Sequence, residues 1–306
     1  MLLAAHLPQF DLVGISTVYG NAPLSRTTLN ALALAEAFAV SSTARVWPGA
    51  DKPLQRALSN APEIHGESGL DGTTLLPKAT LADAAGPVGS AVAALAAAIE
   101  AHAGELYVVA TGTLTNIARL ATDRPDLLAQ IKHLGIMGGG FAEGGNWTKF
   151  AEFNIWCDPE AARTVLRHPA LAGRTTIVTL DMSHQAIATP EVQARVLGSS
   201  EGSYVRRMLY ELLGFFAKTY RDHFGFDAGP PVHDPLAVAA LLTDESTGLG
   251  LEFGEYELDV VLEGERVGET VKIGPSPKGV KVLEKINMER FWELIYESLD
   301  NLEKTR

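Results

Sequence analysis

A histidine followed directly by a carboxylate offers the most chemistry in this sequence. His233 and Asp234 precede Pro235 and a short apolar run, so both lie at the start of a predicted helix. Asp234 as the N-cap before a proline would be a purely structural explanation. His233, however, adds a group that titrates near neutral pH, which a cap does not need. The pair is therefore a candidate catalytic position.

A second polar segment has the residue types that bind a sugar. Glu152 and Asn154 are two residues apart, so on an extended segment both side chains point the same way. Together they offer an acceptor and an amide to a polyol. The preceding glycines, residues 138–140, resemble a phosphate loop, but neither G-x-G-x-x-G nor a G-K-[ST] ending is present. The segment therefore favours sugar hydroxyls over nucleotide phosphates.

Two further polar segments have ordinary structural explanations. His65 lies in a loop rich in Gly and Ser, where a histidine is usually just solvated. The segment 111–116 runs from a strand end into a helix, and Thr113 or Thr115 would serve as its cap. Taken alone, neither segment predicts a function.

The elements that must position these residues alternate along the chain. Apolar runs predict buried strands at 12–18, 106–111, 133–137 and 174–180, with helical patterns at 27–39, 87–102 and 158–168. The C-terminal third predicts helices at 203–222, 233–242 and 289–302, with strands at 256–262 and 280–286. We therefore predict one α/β domain over residues 1–306, with a mainly parallel sheet covered by helices on both faces. Ligands of such sheets bind at the carboxyl ends of the strands.

Composition narrows the classes of partner. The 306 residues include 25 Lys and Arg against 37 Asp and Glu, a formal charge of -12 that disfavours nucleic acid. The single cysteine, Cys157, excludes an internal disulfide and a cysteine-only metal cluster. No apolar stretch is long enough to span a membrane, and no basic region precedes the apolar N-terminus. We expect a cytoplasmic protein.

Taken together, the polar segments resemble those of the inosine/uridine-preferring nucleoside hydrolase family. The matching stretches follow in order over nearly the whole chain: STVYGN at 16–21, HGESG at 65–69, ATGTLTN at 110–116, IMGGGF through AEFNIWCDPEAA at 136–162, LDMSHQAIATP at 180–190 and HDPLAVA at 233–239. The resemblance implies hydrolysis of the N-glycosidic bond of ribonucleosides to ribose and free base. It also implies a bound Ca²⁺ that holds the attacking water, and a homodimer or homotetramer.

The resemblance also implies a role for individual residues. Asp234 would bind the calcium through its carboxylate and Thr111 through its backbone carbonyl, and His233 would be the acid near the leaving base. The implied substrate-binding residues are Asn21, Met137, Asn146, Glu152 and Asn154 at the ribose, and His65, Phe153, Phe216 and Tyr220 at the base. An acidic, oxygen-rich pocket suits both calcium and the positive charge that develops on ribose.

One feature of the family is not found in this sequence. The family carries a strand followed by Asp-x-Asp-Pro-Gly-x-Asp-Asp, which supplies most calcium carboxylates and the general base, and residues 1–6 resemble the helix after it. We therefore expect an N-terminally truncated chain that lacks the first strand and the base, has an incomplete calcium site and shows impaired activity. The alternative is an inactive homologue or a ribose- or nucleoside-binding protein. A generic α/β sugar-binding protein would need export signals and two lobes, neither of which is seen.

Overall fold

The computed structural model describes residues 1–199 and 203–305, in which short strands alternate with helices. The strands are β1 (Ile15–Thr17), β2 (Val46–Pro48), β3 (Tyr107–Ala110), β4 (His133–Met137), β5 (Thr175–Val178), β6 (Glu252–Val260), β7 (Thr270–Pro275) and β8 (Val280–Lys285). The helices are α1 (Leu2–His6), α2 (Leu24–Ala37), α3 (Pro62–His65), α4 (Ser90–Ala101), α5 (Thr115–Asp123), α6 (Pro125–Leu128), α7 (Phe153–Cys157), α8 (Pro159–Leu166), α9 (Leu180–Ser183), α10 (Pro190–Leu197), α11 (Tyr204–Phe224), α12 (Asp234–Ala239) and α13 (Met288–Lys304).

The central sheet has six strands in the order β3-β4-β5-β8-β6-β7. The four strands from β3 to β8 are parallel, whereas β6 runs antiparallel to both of its neighbours, β8 and β7. Strands β1 and β2 form a separate parallel pair. The predicted α/β fold with a mainly parallel sheet is confirmed.

Side chains that alternate along the strands fill two cores, one on each face of the sheet. Ile177 belongs to a cluster with Leu120 of α5 and Val165 of α8. The next residue, Val178, belongs to another cluster that contains Leu236 of α12 and Phe291 of α13. Because successive strand residues point to opposite faces, helices cover this part of the sheet on both sides.

Helix starts follow the sequence signals in one case and depart from them in two. Asp158 caps α8 by accepting the N–H of Ala161 at 3.1 Å, with Pro159 as the first helical residue. The N-cap of α12 is His233, without a side-chain cap bond, so the structural explanation of Asp234 as the cap is wrong. Likewise α5 has Leu114 as its N-cap and no side-chain cap bond. Thr115 donates its hydroxyl to Asp158 instead, at 2.7 Å.

Strands β1 and β3 each lie at an edge of their sheet. Within residues 1–199 and 203–305, β1 pairs only with β2, and β3 pairs only with β4. All four residues of β3 are half-buried, although β5 is completely buried. Solvent therefore reaches the outer side of β3. In the same described part of the chain, no helix is long and apolar enough to cross a bilayer.

Candidate active site

The carboxylate of Glu152 organises the loop that follows β4. It accepts the backbone N–H groups of Gly139 at 3.0 Å, Asn154 at 2.8 Å and Ile155 at 3.1 Å. Gly139 has φ +74°, and a Cβ there would lie 2.8 Å from the Thr270 hydroxyl, so this position requires glycine. Glu152 thus caps α7 and holds the glycine loop in place at the same time.

Other predicted ribose-side residues lie around the same loop. The Asn154 amide donates to the backbone carbonyl of Met137 at 3.3 Å, and Asn146 accepts the N–H of Phe153 at 2.9 Å. Met137 is the last residue of β4, and Asn154 lies in the first turn of α7. The structure therefore brings Met137, Asn146, Glu152 and Asn154 together at the carboxyl end of a parallel strand.

Two carboxylates give this side of the site its electrostatic character. Burial is the main reason that the pKa of Glu152 is raised to about 7; its three N–H partners oppose the rise, and the nearby Asp234 carboxylate adds to it. Desolvation of the Asp234 carboxylate likewise raises its pKa. The ammonium group of Met1 and the Thr111 side chain lower it. Asp234 is nevertheless exposed to solvent, which offsets part of the rise.

His233 has a hydrogen-bond partner on each of its ring nitrogens. The Ser183 hydroxyl lies 2.7 Å from Nδ1, and the Tyr220 hydroxyl lies 2.8 Å from Nε2. Burial, with smaller contributions from His184 and His65, lowers the pKa of His233 to about 3. A neutral imidazole between two hydroxyls is therefore the form present at neutral pH.

Aromatic rings lie around His233, and Tyr220 is one of them, with its ring centroid 5.8 Å from that of His233. Neighbouring centroids are 5.4 Å apart for His65 and Phe216, 6.2 Å for Phe216 and Tyr220, 5.1 Å for Tyr220 and Phe224, and 5.0 Å for His184 and Phe226. His65 is the last residue of α3, and Phe216 and Tyr220 lie one turn apart on α11. Burial lowers the pKa of His65 to about 4, so this wall is neutral as well as aromatic.

Two of the predicted substrate-binding residues are placed differently from the rest, although the backbone N–H of Phe153 donates to Asn146. Phe153 packs against Trp147, with centroids 4.9 Å apart, in the cluster that contains Tyr19 and Cys157. Asn21 is half-buried beyond β1, where its backbone carbonyl accepts the N–H of Ala61 at 3.3 Å. The sequence prediction grouped Phe153 with Phe216 and Tyr220, but the structure places it in a different aromatic cluster.

Three residues of the His233 surroundings had no predicted role. Ser183, His184 and Phe226 all contact this group, and Ser183 is fully buried. A signal for Ser183 was present, because it closely follows the carboxyl end of β5. Nothing local shows that it meets a histidine fifty positions further along the chain.

Known proteins match nearly the full length of the chain. The family model for inosine-uridine preferring nucleoside hydrolases matches residues 1–293. The chain belongs to this family. It is 38% identical to the uridine nucleosidase of Saccharomyces cerevisiae, covering 99% of this chain and 92% of the relative. It is 34% identical to the inosine-uridine preferring nucleoside hydrolase of Crithidia fasciculata, covering 99% and 93%. The predicted family membership is thus confirmed.

A solved nucleoside hydrolase structure has the same fold. The purine-preferring ribonucleoside hydrolase from Gardnerella vaginalis superposes with a TM-score of 0.86 at 24% identity, over 100% of this chain and 95% of that one. At that identity the likeness shows the fold alone.

The described residues of this nucleoside hydrolase do not by themselves complete a calcium site. Across residues 1–199 and 203–305, no three His, Cys, Asp or Glu residues are grouped as metal ligands. Asp234 is an accessible carboxylate, but the Glu152 carboxylate is already engaged by three N–H groups. Calcium takes about 6–8 oxygen ligands, so the donor set present does not fit it.

Proposed function

We propose that this chain hydrolyses the N-glycosidic bond of purine or pyrimidine ribonucleosides to ribose and free base. The observation that carries the proposal is the adjacency of His233 and Asp234. His233 contacts Tyr220 in the aromatic group, and its neighbour Asp234 acts on Glu152 in the oxygen-rich group. The two groups are therefore adjacent. A ribonucleoside has the same two halves, a polyol and a flat ring, joined by one bond. Relatives bearing the names uridine nucleosidase and inosine-uridine preferring nucleoside hydrolase support this assignment.

The oxygen-rich half suits the ribose. Breaking the C1′–N bond builds positive charge on the sugar ring, and the carboxylates of Glu152 and Asp234 lie close enough to interact with each other and with that charge. Glu152 retains acceptor capacity beyond its three N–H partners, because a carboxylate has about four lone-pair sites. We propose that Asn21, Met137, Asn146, Glu152 and Asn154 bind the ribose.

The aromatic half suits the leaving base. Phe216 and Tyr220 offer ring faces for stacking, and His65 packs edge-on against Phe216. As the bond breaks, negative charge develops on the base, and a hydrogen-bond donor beside it lowers the barrier. His233 and Tyr220 are the polar groups within this wall, and we propose that they stabilise the departing base.

We also propose that the ion used by this enzyme is Ca²⁺, with Asp234 and the Thr111 carbonyl among its ligands. Since the described donors are too few, we assign no reaction step to the ion and no general base to a described residue. We accordingly propose weak turnover by the 306 residues alone. By resemblance to the family, we propose a cytoplasmic homodimer or homotetramer.

The test is release of ribose and free base from inosine and from uridine, with Ca²⁺ and with chelator. It is run on the 306-residue chain and on a version preceded by the strand and Asp-x-Asp-Pro-Gly-x-Asp-Asp segment of the family. We expect chelator-sensitive turnover in the extended version and at most weak turnover in the chain itself. If neither folded protein releases ribose, the proposal is wrong.

The shortage of carboxylates favours one second candidate, a ribonucleoside-binding protein without catalysis. Asn154 and Phe216 would still bind a ribose and a base in such a protein. Saturable binding of inosine or uridine without product in either version would support this candidate and exclude the hydrolase.

A further inference from the structure

We propose that Ser183 is a positioning residue that decides which nitrogen of His233 carries the ring proton. By that choice, Ser183 turns the hydroxyl hydrogen of Tyr220 toward the leaving base. The part that concerns the base rests on the proposed hydrolase function, whereas the part that concerns the imidazole does not. Ser183 touches no substrate, because it lies behind His233 at the end of α9.

The hydroxyl of Ser183 has one partner available to it. Ser183 is fully buried, and within residues 1–199 and 203–305 its Oγ contacts Nδ1 of His233 at 2.7 Å. If Nδ1 carried the ring proton, the serine hydrogen would be buried without an acceptor. A buried donor left unpaired is unfavourable, so the serine donates to an unprotonated Nδ1.

The ring proton of neutral His233 is then on Nε2. Nε2 lies 2.8 Å from the Tyr220 oxygen, so the imidazole donates and the tyrosine oxygen accepts. An oxygen that accepts from the imidazole must direct its own hydrogen elsewhere. The rings around Tyr220 belong to Phe216, Phe224 and Phe226, among which a base would stack.

The opposite tautomer would reverse the order of donors. Nε2 would then accept, Tyr220 would point its hydrogen at His233, and the base would lose a donor. The structure thus contains a directed chain from the Ser183 hydroxyl through the imidazole to the Tyr220 hydroxyl. Ser183 fixes its direction by making the Nδ1-protonated form costly.

The tautomer can be measured directly on the 306-residue chain. Protein labelled with ¹⁵N-histidine is examined by long-range ¹H–¹⁵N correlation, with the His233 signals assigned from their loss in H233N. We expect the Nε2–H pattern in the unmodified chain, and loss of that preference in S183A. An Nδ1–H pattern in the unmodified chain overturns the proposal, whether or not the protein is an enzyme.

The catalytic part of the proposal is tested in the extended version of the protein, which we expect to hydrolyse nucleosides. S183A is expected to lower kcat for inosine and uridine by about 100-fold, the usual effect of losing one donor to developing negative charge. With 4-nitrophenyl β-D-ribofuranoside, whose leaving group departs as a stable phenolate, the loss should be at least about tenfold smaller. S183T, which keeps the hydroxyl, should recover nucleoside turnover.

The matched control is S298A. Ser298 is equally buried, but its hydroxyl donates to the Leu294 carbonyl within α13. S298A should change kcat by the same factor for the nucleosides and for the nitrophenyl riboside. If S183A also slows both kinds equally, Ser183 is a packing residue and the catalytic part of the proposal is wrong. If the unmodified version cleaves neither kind, the proposed function fails, and the tautomer measurement still decides the role of Ser183.

Discussion

The Glu152 carboxylate and the backbone N–H of Gly139 are joined by a 3.0 Å hydrogen bond. This bond ties the N-cap of α7 to the glycine loop that follows β4, so one side chain positions two segments of the site. Glu152 is only 2% exposed, and its oxygens face N–H donors. These hydrogen bonds are therefore part of the fold as well as of the proposed ribose pocket.

Replacing Glu152 by glutamine should destabilise the protein although the shape is unchanged. One carboxylate oxygen accepts from Asn154 and the other from Gly139 and Ile155, so either orientation of the amide places an NH₂ group against N–H donors. We expect the free energy of unfolding in urea to fall by about 1–3 kcal/mol. The control is E105Q at an exposed position, which should stay within about 0.5 kcal/mol of the parent. Equal stability of E152Q and E105Q would contradict this account.

Stability should also depend on the protonation of His133 in β4. Burial lowers the pKa of His133 from 6.5 to about 4, and Lys281 adds to the effect, while its Nε2 lies 2.8 Å from the Thr176 hydroxyl. Because the folded state disfavours the charged ring, its contribution is complete above pH 6.5 and is lost as the pH falls toward 4.

Thermal unfolding between pH 4 and pH 7 measures that dependence on His133. On acidification, the Tm of H133Q should fall less than the Tm of the parent. Removing the Lys281 charge should also reduce the fall in Tm, but by a smaller amount. The comparison with the parent separates His133 from the other buried histidines. A parent and an H133Q variant that lose Tm in parallel would refute the prediction.

Calcium affinity of the 306-residue chain should be low. The described donors fall well short of the ligands that calcium needs, so we expect a Kd no tighter than about 1 mM by isothermal titration calorimetry. D234N should weaken that binding further, because it removes a proposed carboxylate ligand. Micromolar binding that disappears in D234N would show that oxygens we have not assigned complete the site.

Phe216 should matter for the base and not for the sugar. Losing one stacking face costs about 1–3 kcal/mol, so F216A should weaken binding of inosine or uridine by about tenfold or more while leaving ribose binding unchanged. Y210A provides the control, because Tyr210 lies on the same helix, α11, but is 40% exposed. Equal effects of the two variants would remove Phe216 from the proposed base pocket.

Local pattern predicted the interior of the sheet better than its margins. The apolar run at 133–137 coincides with β4, because a buried strand with two polar boundaries leaves little choice of ends. Strand β2 has three residues and ends at Pro48, and β7 ends at Pro275, so neither produced a recognisable run. These strands are defined by their pairing with neighbouring strands, which is tertiary information.

The same distinction separates the predicted site from the site observed. Glu152 and Asn154 were identified because both lie in one short polar segment, and the structure places them together. Ser183 was missed because its significance is its contact with His233, fifty residues away. Asp234 was expected as a cap, yet the N-cap of α12 is His233, so Asp234 lies inside the helix.

The most direct test of the central claim is time-resolved ¹H NMR of uridine and inosine in phosphate-free buffer with Ca²⁺ and the extended version of the protein. We predict that the anomeric signals of free ribose and the signals of free base grow together in equal amounts, and that H233N slows their growth. Nucleoside signals that broaden on binding but never convert, with the protein folded, would contradict the claim and identify a binding protein.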